Sequence, residues 1–496
     1  MALLNLTDLA KGLADVSASA AATAGIEIKG LTSDSRRVAP GFLFAALPGA
    51  QPNTKADGRT FIADALKLGA VAVLGPAGVQ WPATGRAACL FTDNTRRAYA
   101  LIAARFYDRQ PRIVCAVTGT NGKTSTVHFL RQIWAMLGHR AASIGTLGVI
   151  GADGRVAPAG GLTTPDPAEL HRLLRDLAEG GVEHLAMEAS SHGLDQHRLD
   201  GVRIKAAAFT NLTRDHLDYH RDMGAYSAAK RRLFAELLPE DGVAVIHAAA
   251  SGAQDMLEVC RRARRRIVTY GGEGADVALL SARPTPGGQH LELSIFGVAR
   301  AIDFPLVGGF QADNALCALG LALACGANQD AALSALERLG SVPGRLEKVG
   351  ASKTGAAVYV DYAHTPDALA NVLAALRPHA RGQLIVVFGC GGDRDAGKRP
   401  EMGRIAARAA DVAIVTDDNP RTEDAAAIRR AVLAACPDAI EIADRRAAIR
   451  AAVARLQAGD VLVLAGKGHE QGQIVGTETR PFDDKTEALA ALGGPS

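Results

Sequence analysis

A strong charge of either sign is missing from this chain. Its formal net charge is +3 over 496 residues, which supplies no general field for nucleic acid, so RNA and DNA are not expected partners. Paired cysteines are missing too. Cys89, Cys115, Cys260, Cys317, Cys325, Cys390 and Cys436 are odd in number, scattered, and never spaced C-x-x-C, which argues against a disulfide framework or a zinc ribbon and fits a reducing compartment. No uninterrupted apolar run reaches membrane-spanning length. The N-terminal stretch MALLNLTDLAKGLADVSAS is broken by Asp8, Lys11 and Asp15, so it reads as neither a signal peptide nor a membrane span, and a cytoplasmic protein is expected. Aromatic residues are scarce at 4%, whereas the 48% hydrophobic and 22% charged composition is that of a globular chain.

The length is too great for one core and implies about three domains. Turn residues and charge divide the chain into residues 1–110, 111–342 and 343–496. The first block mixes short runs such as FLFAAL and AVAVLG with a helical stretch from Arg97 to Tyr107, and reads as a small α/β domain. The second opens with RIVCAVTGTNGKTS, a buried strand entering a glycine-rich turn, followed by VHFLRQIWAMLG at helical spacing. The third alternates VYVDYAH, LIVVFGCGG, VAIVTDDNP and VLVLAGKG with alanine-rich helical segments, the pattern of a doubly wound, Rossmann-like parallel sheet. In such sheets functional groups collect past the strand C-termini, which here carry Asp361, His364, Arg394, Asp418, Arg421, Gly466 and Glu470.

Strand, glycine loop and helix in that order make a phosphate site. Gly119, Thr120, Asn121, Gly122, Lys123 and Thr124, with Ser125 behind them, offer backbone N–H groups, a helix N-terminus and a lysine charge. Val117 stands where the common P-loop has its first glycine, so the generic G-x-x-x-x-G-K-[ST] pattern is not met. Glu188 ends an apolar run, VEHLAMEAS, where a carboxylate is costly unless it meets a cation; capping the next helix is the plainer alternative. His216 and His220 are spaced to share a helix face, but HLDYH lacks the glutamate that follows the first histidine of a zincin. Lys230, in AAKRRLF, reads by itself as an exposed helix lysine.

The loop TGTNGKTS resembles that of the Mur ligases and the related folylpolyglutamate synthetases. TTPD, EASSHGLDQHR, TNLTRDHLDYH, YSAAKRRLF, DYAHTPDAL, FGCGGDRDAGKRPEMG, DDNPRTED and GKGHEQGQ extend the resemblance, in order, from about residue 30 to 485. They are similar to the diaminopimelate-adding Mur ligases, whose signature DNPR is Asp418, Asn419, Pro420 and Arg421 here. The resemblance implies a small N-terminal uridine-binding domain, a central P-loop ATPase-like domain with a parallel sheet, and a Rossmann-like C-terminal domain that binds the amino acid. It implies ATP and Mg2+ as cofactors, with UDP-N-acetylmuramoyl-L-alanyl-D-glutamate and meso-diaminopimelate as substrates of a monomeric ligase.

Residue by residue, the resemblance assigns ATP to Gly119 through Ser125 and to Asn314, Arg345 and Asp361. Lys123, His216 and Lys230 become catalytic; magnesium falls to Thr124, Glu188, His216 and Lys230 as its carbamate, N6-carboxylysine. The muramoyl peptide maps to Thr163, Thr164, Ser190, Gln196 and Arg198, and the uridine end to Ser33, Ser35 and Gln51, beside an apparent four-residue insertion, Pro52 to Lys55. Diaminopimelate is given Arg394, Asp418, Asn419, Pro420, Arg421, Gly466 and Glu470. Diaminopimelate is lysine with one more carboxylate, and a guanidinium fork fits a carboxylate. The implied route activates the D-glutamate side-chain carboxylate as an acyl phosphate that the diaminopimelate amine attacks, with closure of the third block onto the second as a catalytic step. A folylpolyglutamate synthetase, a lysine-adding ligase and a catalytically dead nucleotide-binding scaffold are the alternatives.

Overall fold

The structure, a computed structural model, describes residues 4–16, 25–49, 57–78, 87–157, 161–217 and 219–493. Its contacts divide into two compact units, Met1–Tyr270 with Gly320–Asn328, and Gly271–Leu319 with Gln329–Ser496.

The first unit begins with a five-stranded sheet ordered Asp15–Val16, Ala88–Thr92, Ala72–Pro76, Phe42–Ala45, Gly30–Thr32, parallel except at Asp15–Val16. The period of two along FLFA sends Leu43 and Ala45 to one face, where they pack with Tyr99, Ile102 and Phe106, and Phe44 to the other, with Ile62 and Val73. Those rings and Ile102 lie on the helix Thr95–Tyr107, which Asn94 caps through its side-chain oxygen. The helix read from the sequence is present, two residues longer at its start.

A second sheet in the same unit runs Ala141–Gly145, His184–Glu188, Ile113–Thr118, Ile204–Phe209, Val243–His247, Arg266–Gly271, all parallel, with Gly148–Ile150 antiparallel at its edge. The first of these strands in sequence, Ile113–Thr118, lies between the third and the fourth. Connections on either side of it therefore diverge, and a crevice opens beyond its carboxyl end. That crevice receives the glycine loop.

The second unit holds a sheet ordered Glu347–Ala351, Ala357–Asp361, Val461–Ala465, Leu384–Phe388, Val412–Val415, Ile440–Glu441, parallel after the first pair. Each strand expected in the third block is present. Both faces are buried: Val386, Phe388 and Val415 pack with Leu369 and Met402, while Ile385, Val387 and Leu464 pack with Ile449. Arg445 and Asp484, both fully buried, form an ion pair of 2.7 Å that fastens the helix Asp484–Ala491, and Arg445 also donates to the Ala465 carbonyl at 2.9 Å. An antiparallel meander, Val277–Thr285, Gly288–Ile295 and Val298–Phe304, belongs to the same unit.

Candidate functional site

The loop after Ile113–Thr118 needs glycine for two different reasons. Gly119 has φ +148°, and a Cβ there would sit 1.8 Å from Thr210 Oγ1. Gly122, at φ 84°, is the N-cap of the helix Lys123–Met136 and caps it with no side chain, so the first-turn N–H groups face outward as anion donors. Thr210 Oγ1 donates to Asn121 O at 2.6 Å, and Asn121 N donates to Asn211 Oδ1 at 2.9 Å, pinning the loop to the neighbouring strand end. Lys123 Nζ donates to Gly119 O at 2.9 Å and Thr120 O at 2.8 Å, so the loop holds its own lysine. Thr124 and Ser125 are buried in the first turn.

Lys230 is not the exposed helix lysine that AAKRRLF suggests. On the helix Met223–Arg232 it is 1% exposed; its Nζ donates to Gly119 O at 2.7 Å and lies 4.3 Å from the centroid of the Tyr226 ring. Burial, reinforced by the Lys123 charge and opposed by Asp215, holds its ammonium well below the usual lysine range. Burial thus favours the neutral form, whose amine is nucleophilic. Tyr226 also hydrogen-bonds Thr120 Oγ1 through its hydroxyl at 3.1 Å, and the His216 ring lies 6.1 Å away, so His216, Lys230 and the loop gather around one tyrosine. His216 has φ 54° and is half exposed, its Nε2 3.6 Å from Asp215. With His216 at φ 54° and neither His216 nor His220 part of a helix, the shared helix face of the zinc alternative is not formed.

Glu188, 1% exposed, accepts from Thr146 N at 2.8 Å and Thr146 Oγ1 at 3.1 Å, and Gly145 leaves room for it: a Cβ there would lie 2.2 Å from Oε1. It does not cap the following helix; Ser190 does, accepting from Gly193 N at 3.0 Å. Among the described residues no basic side chain pairs with this buried carboxylate. An acid so placed, with the hydroxyl of Thr124 in the loop helix, is the hard oxygen chemistry that a divalent cation such as magnesium takes.

The polar wall continues from Glu188. Thr164 Oγ1 donates to Glu188 O at 3.0 Å and accepts from Ser190 N and Oγ; Thr163 and Thr146 share a hydrogen bond of 3.2 Å. Arg198 donates to Thr164 O at 2.8 Å and Gln196 Oε1 at 2.7 Å. Gln196 and Arg198 then line a cavity of about 210 Å³ with Ser33, Arg96, Tyr99 and Asp166. Asp166 accepts from Ser33 Oγ at 2.9 Å and Tyr99 OH at 3.0 Å. Arg96, Tyr99 and Asp166 were not singled out from the sequence. Tyr99 sits in the stretch that reads as structural helix, Arg96 directly precedes it, and only the fold brings Asp166 to Ser33. Ser35 starts a short turn, Ser35–Arg37, and is not part of the cavity lining. Gln51 and Pro52–Lys55 lie outside the described residues.

In the second unit, Asn314 donates to Gln311 Oε1 at 3.3 Å, and Gln311 donates to Arg345 O at 2.9 Å. The Arg345 guanidinium lies 4.4 Å over the Tyr362 ring. Asp361 accepts from Leu346 N at 2.6 Å and Ala363 N at 2.7 Å; burial pushes its carboxyl up to about 6, against the pull of Arg345. Asn314, Arg345 and Asp361 are thereby one cluster.

The amino-acid candidates form a second cluster. Asn419 is its hub: Oδ1 accepts from Lys467 Nζ at 2.9 Å and Ile474 N at 3.0 Å, and Nδ2 donates to Glu470 Oε2 at 2.9 Å. Lys467, fully buried, also lies 3.3 Å from Glu470 Oε2; the motif GKGHE contains it, but nothing local in that motif points to its role. After Pro420, Arg421 turns at φ 53°, with its N–H on Ile474 O at 3.1 Å and Nη1 on Gly392 O at 2.9 Å. Gly391 separates the arginines: a Cβ there would meet Arg421 Nη1 at 2.9 Å and Arg394 Cγ at 3.9 Å. Gly466, φ 116°, gives way to Asp418, whose Oδ2 would lie 2.5 Å from a Cβ.

Three family descriptions match the chain: Mur ligase family, catalytic domain, over 27–107; Mur ligase middle domain, over 117–322; and Mur ligase, glutamate ligase domain, over 344–468. The chain is 53% identical to the UDP-N-acetylmuramoyl-L-alanyl-D-glutamate--2,6-diaminopimelate ligase of Caulobacter vibrioides, over 94% of this chain and 96% of that one. It is 52% identical to the protein so named in Rhizobium meliloti, over 99% and 100%. A solved structure of a ligase of that name aligns with TM-score 0.69 at 36% identity, covering 94% of this chain and 95% of the other. Thermotoga maritima MurF in complex with ADP, at TM-score 0.64 and 19% identity over 93% and 96%, shares the fold.

Proposed function

The chain belongs to the Mur ligase family, and on that premise we propose that it joins meso-diaminopimelate to UDP-N-acetylmuramoyl-L-alanyl-D-glutamate in an ATP-driven reaction of peptidoglycan precursor synthesis. The observation that carries the reading is the pairing, in one chain, of a lysine-bearing phosphate loop with an arginine pair set around Gly391.

A carboxylate does not react with an amine until it is activated. The D-glutamate side-chain oxygen attacks the γ-phosphorus of ATP, the bond to the bridging oxygen of ADP breaks, and an acyl phosphate results. The neutral amine of diaminopimelate then adds to the carbonyl carbon, phosphate leaves, and an amide remains after loss of the amine proton. Two anions meet in the first step, so Lys123 exchanges the Gly119 and Thr120 carbonyls for phosphate oxygens while the first-turn N–H groups hold the rest. Thr124, Glu188, His216 and a carbamylated Lys230 would hold magnesium, which when bound supplies positive charge against phosphate. The neutral amine of Lys230 is the species that adds to carbon dioxide. Thr163, Thr164, Ser190, Gln196 and Arg198 orient the muramoyl peptide, with Ser33 and Ser35 toward the uridine, and Asn314, Arg345 and Asp361 serve the nucleotide. Arg421 and Arg394 receive the carboxylate that lysine lacks. Asp418, Asn419, Pro420 and Gly466 shape that site, and Glu470, both of whose bonds described above fall on Oε2, offers Oε1 to the ammonium.

In this reading residues 1–110 bind the UDP end, 111–342 bind ATP and 343–496 bind the amino acid, in a monomeric cytoplasmic enzyme. No helix of the described residues is long and apolar enough to cross a membrane. The test is phosphate release and product mass with the UDP-muramoyl dipeptide plus meso-diaminopimelate or lysine, and in a separate arm with folate plus glutamate. Product with diaminopimelate alone is expected; preference for lysine or for folate would replace the reading with one of its alternatives.

A further inference from the structure

Cys115 and Cys325 stand 210 positions apart in sequence, yet their sulfurs are 3.4 Å apart. Cys115 is buried in the strand Ile113–Thr118, held on both sides by pairing with Ala186 and Ala206, four residues before Gly119. Cys325 is half-buried just past the helix Gly309–Ala324. Its N–H donates to Leu321 O and Ala322 O, and Gly326 follows at φ 89°. Close packing fixes the last turns of that helix: a Cβ on Gly320 would lie 2.9 Å from Val245.

We propose that Cys115 and Cys325 form a reversible modification site, a dithiol oxidised by hydrogen peroxide to a disulfide beneath the phosphate loop. A disulfide needs the sulfurs at about 2.05 Å, so they must close by a little over 1 Å. The strand cannot yield much between two paired neighbours, whereas Cys325, at a helix end before a glycine, can. Of the two residues, Cys115 is the buried one and Cys325 the partly exposed one. Its sulfur attacks the peroxide, an S–O bond forms as O–O breaks, and water leaves a sulfenic acid. Cys115 then attacks the Cys325 sulfur; S–S forms, S–O breaks, and the Cys115 proton departs in a second water. Two thiols lose two hydrogens, one peroxide becomes two waters, and a cellular thiol reverses the step. Burial makes two of the remaining thiols poor competitors, pushing Cys260 up to about 12 and Cys390 up to about 11.

Residual pull on Cys115 is transmitted along the buried segment Val114–Thr118 to Gly119, where Thr210 leaves no room for a Cβ. The bridge therefore perturbs the loop that both Lys123 and Lys230 contact.

The full chain carrying Cys317→Ala, which removes the one other thiol on the segment between Arg300 and Arg338, is treated with hydrogen peroxide and mapped without reduction. A Cys115–Cys325 linked peptide is expected, with a mass loss of two hydrogens, reversal by dithiothreitol, and absence in Cys325→Ser. ADP affinity of the bridged protein is expected to fall roughly tenfold, the size of one displaced phosphate contact. Sulfinic acid on Cys325 with Cys115 still reduced, or a bridge from Cys115 to a different cysteine, would overturn the site. Unchanged ADP affinity in the bridged protein would overturn its coupling to the loop.

Discussion

Replacing Arg421 by alanine tests the discriminating half of the site. The guanidinium already spends Nη1 on Gly392 O at 2.9 Å and, more weakly, on Asn419 O at 3.4 Å, so its remaining donors are what the second carboxylate of diaminopimelate can use. A hydrogen bond to a charged group contributes about 1.5–3 kcal/mol, and at about 1.4 kcal/mol per decade its loss lowers kcat/KM for diaminopimelate roughly 10- to 150-fold. The KM for ATP should stay within about twofold, because the ATP residues belong to other clusters. Lysine offers the internal control. Lacking the second carboxylate, it has no bond to lose, so its weak kcat/KM should barely change while the ratio of the two substrates collapses. Phosphate release with each substrate varied in turn reads all three quantities. Equal losses for diaminopimelate, lysine and ATP would refute the reasoning and make Arg421 a structural residue of the loop.

Two further outcomes follow. Burial holds Lys230 well below the ordinary lysine range, so at a given pH its neutral fraction, and with it carbamate formation, should exceed that of an exposed lysine and should decline as pH falls. Trapping of 13C-bicarbonate should label Lys230, and Lys230→Met should abolish both label and turnover; full turnover in the unlabelled variant would dismiss the carbamate. Asp484→Ala leaves Arg445 charged and buried and should cost about 3–5 kcal/mol in denaturant unfolding, whereas replacing Arg445 and Asp484 together by apolar residues of similar volume should recover most of it. Near-equal destabilisation by the single and double changes would show that the pair's charge is not the issue.

The legible parts of the chain were those written locally. IVCAVT before a glycine loop, and VYVD, LIVVF, VAIV and VLVLA between helical stretches, declare buried strands by composition alone, and each forms where expected. The meander from Val277 to Phe304 also carries a local alternation, with Pro-Gly-Gly and Phe-Gly turns between its strands. What no local pattern could state is what distant segments do to one another. Three successive cations in KRR indicate a solvated helix face, yet Lys230 is buried because Gly119, 111 positions earlier, offers it a carbonyl. Asp166 gains its meaning from Ser33 and Tyr99, Lys467 from Asn419, and Arg445 from Asp484, each a pairing that exists only after folding.

The most direct test of the account labels both oxygens of the D-glutamate side-chain carboxylate with 18O and runs the complete reaction with ATP and meso-diaminopimelate. One 18O should appear in each released phosphate and one should remain in the new amide. Phosphate carrying oxygen from solvent instead, with both labels still in an unreacted carboxylate, would mean that the chain hydrolyses ATP without activating the acid.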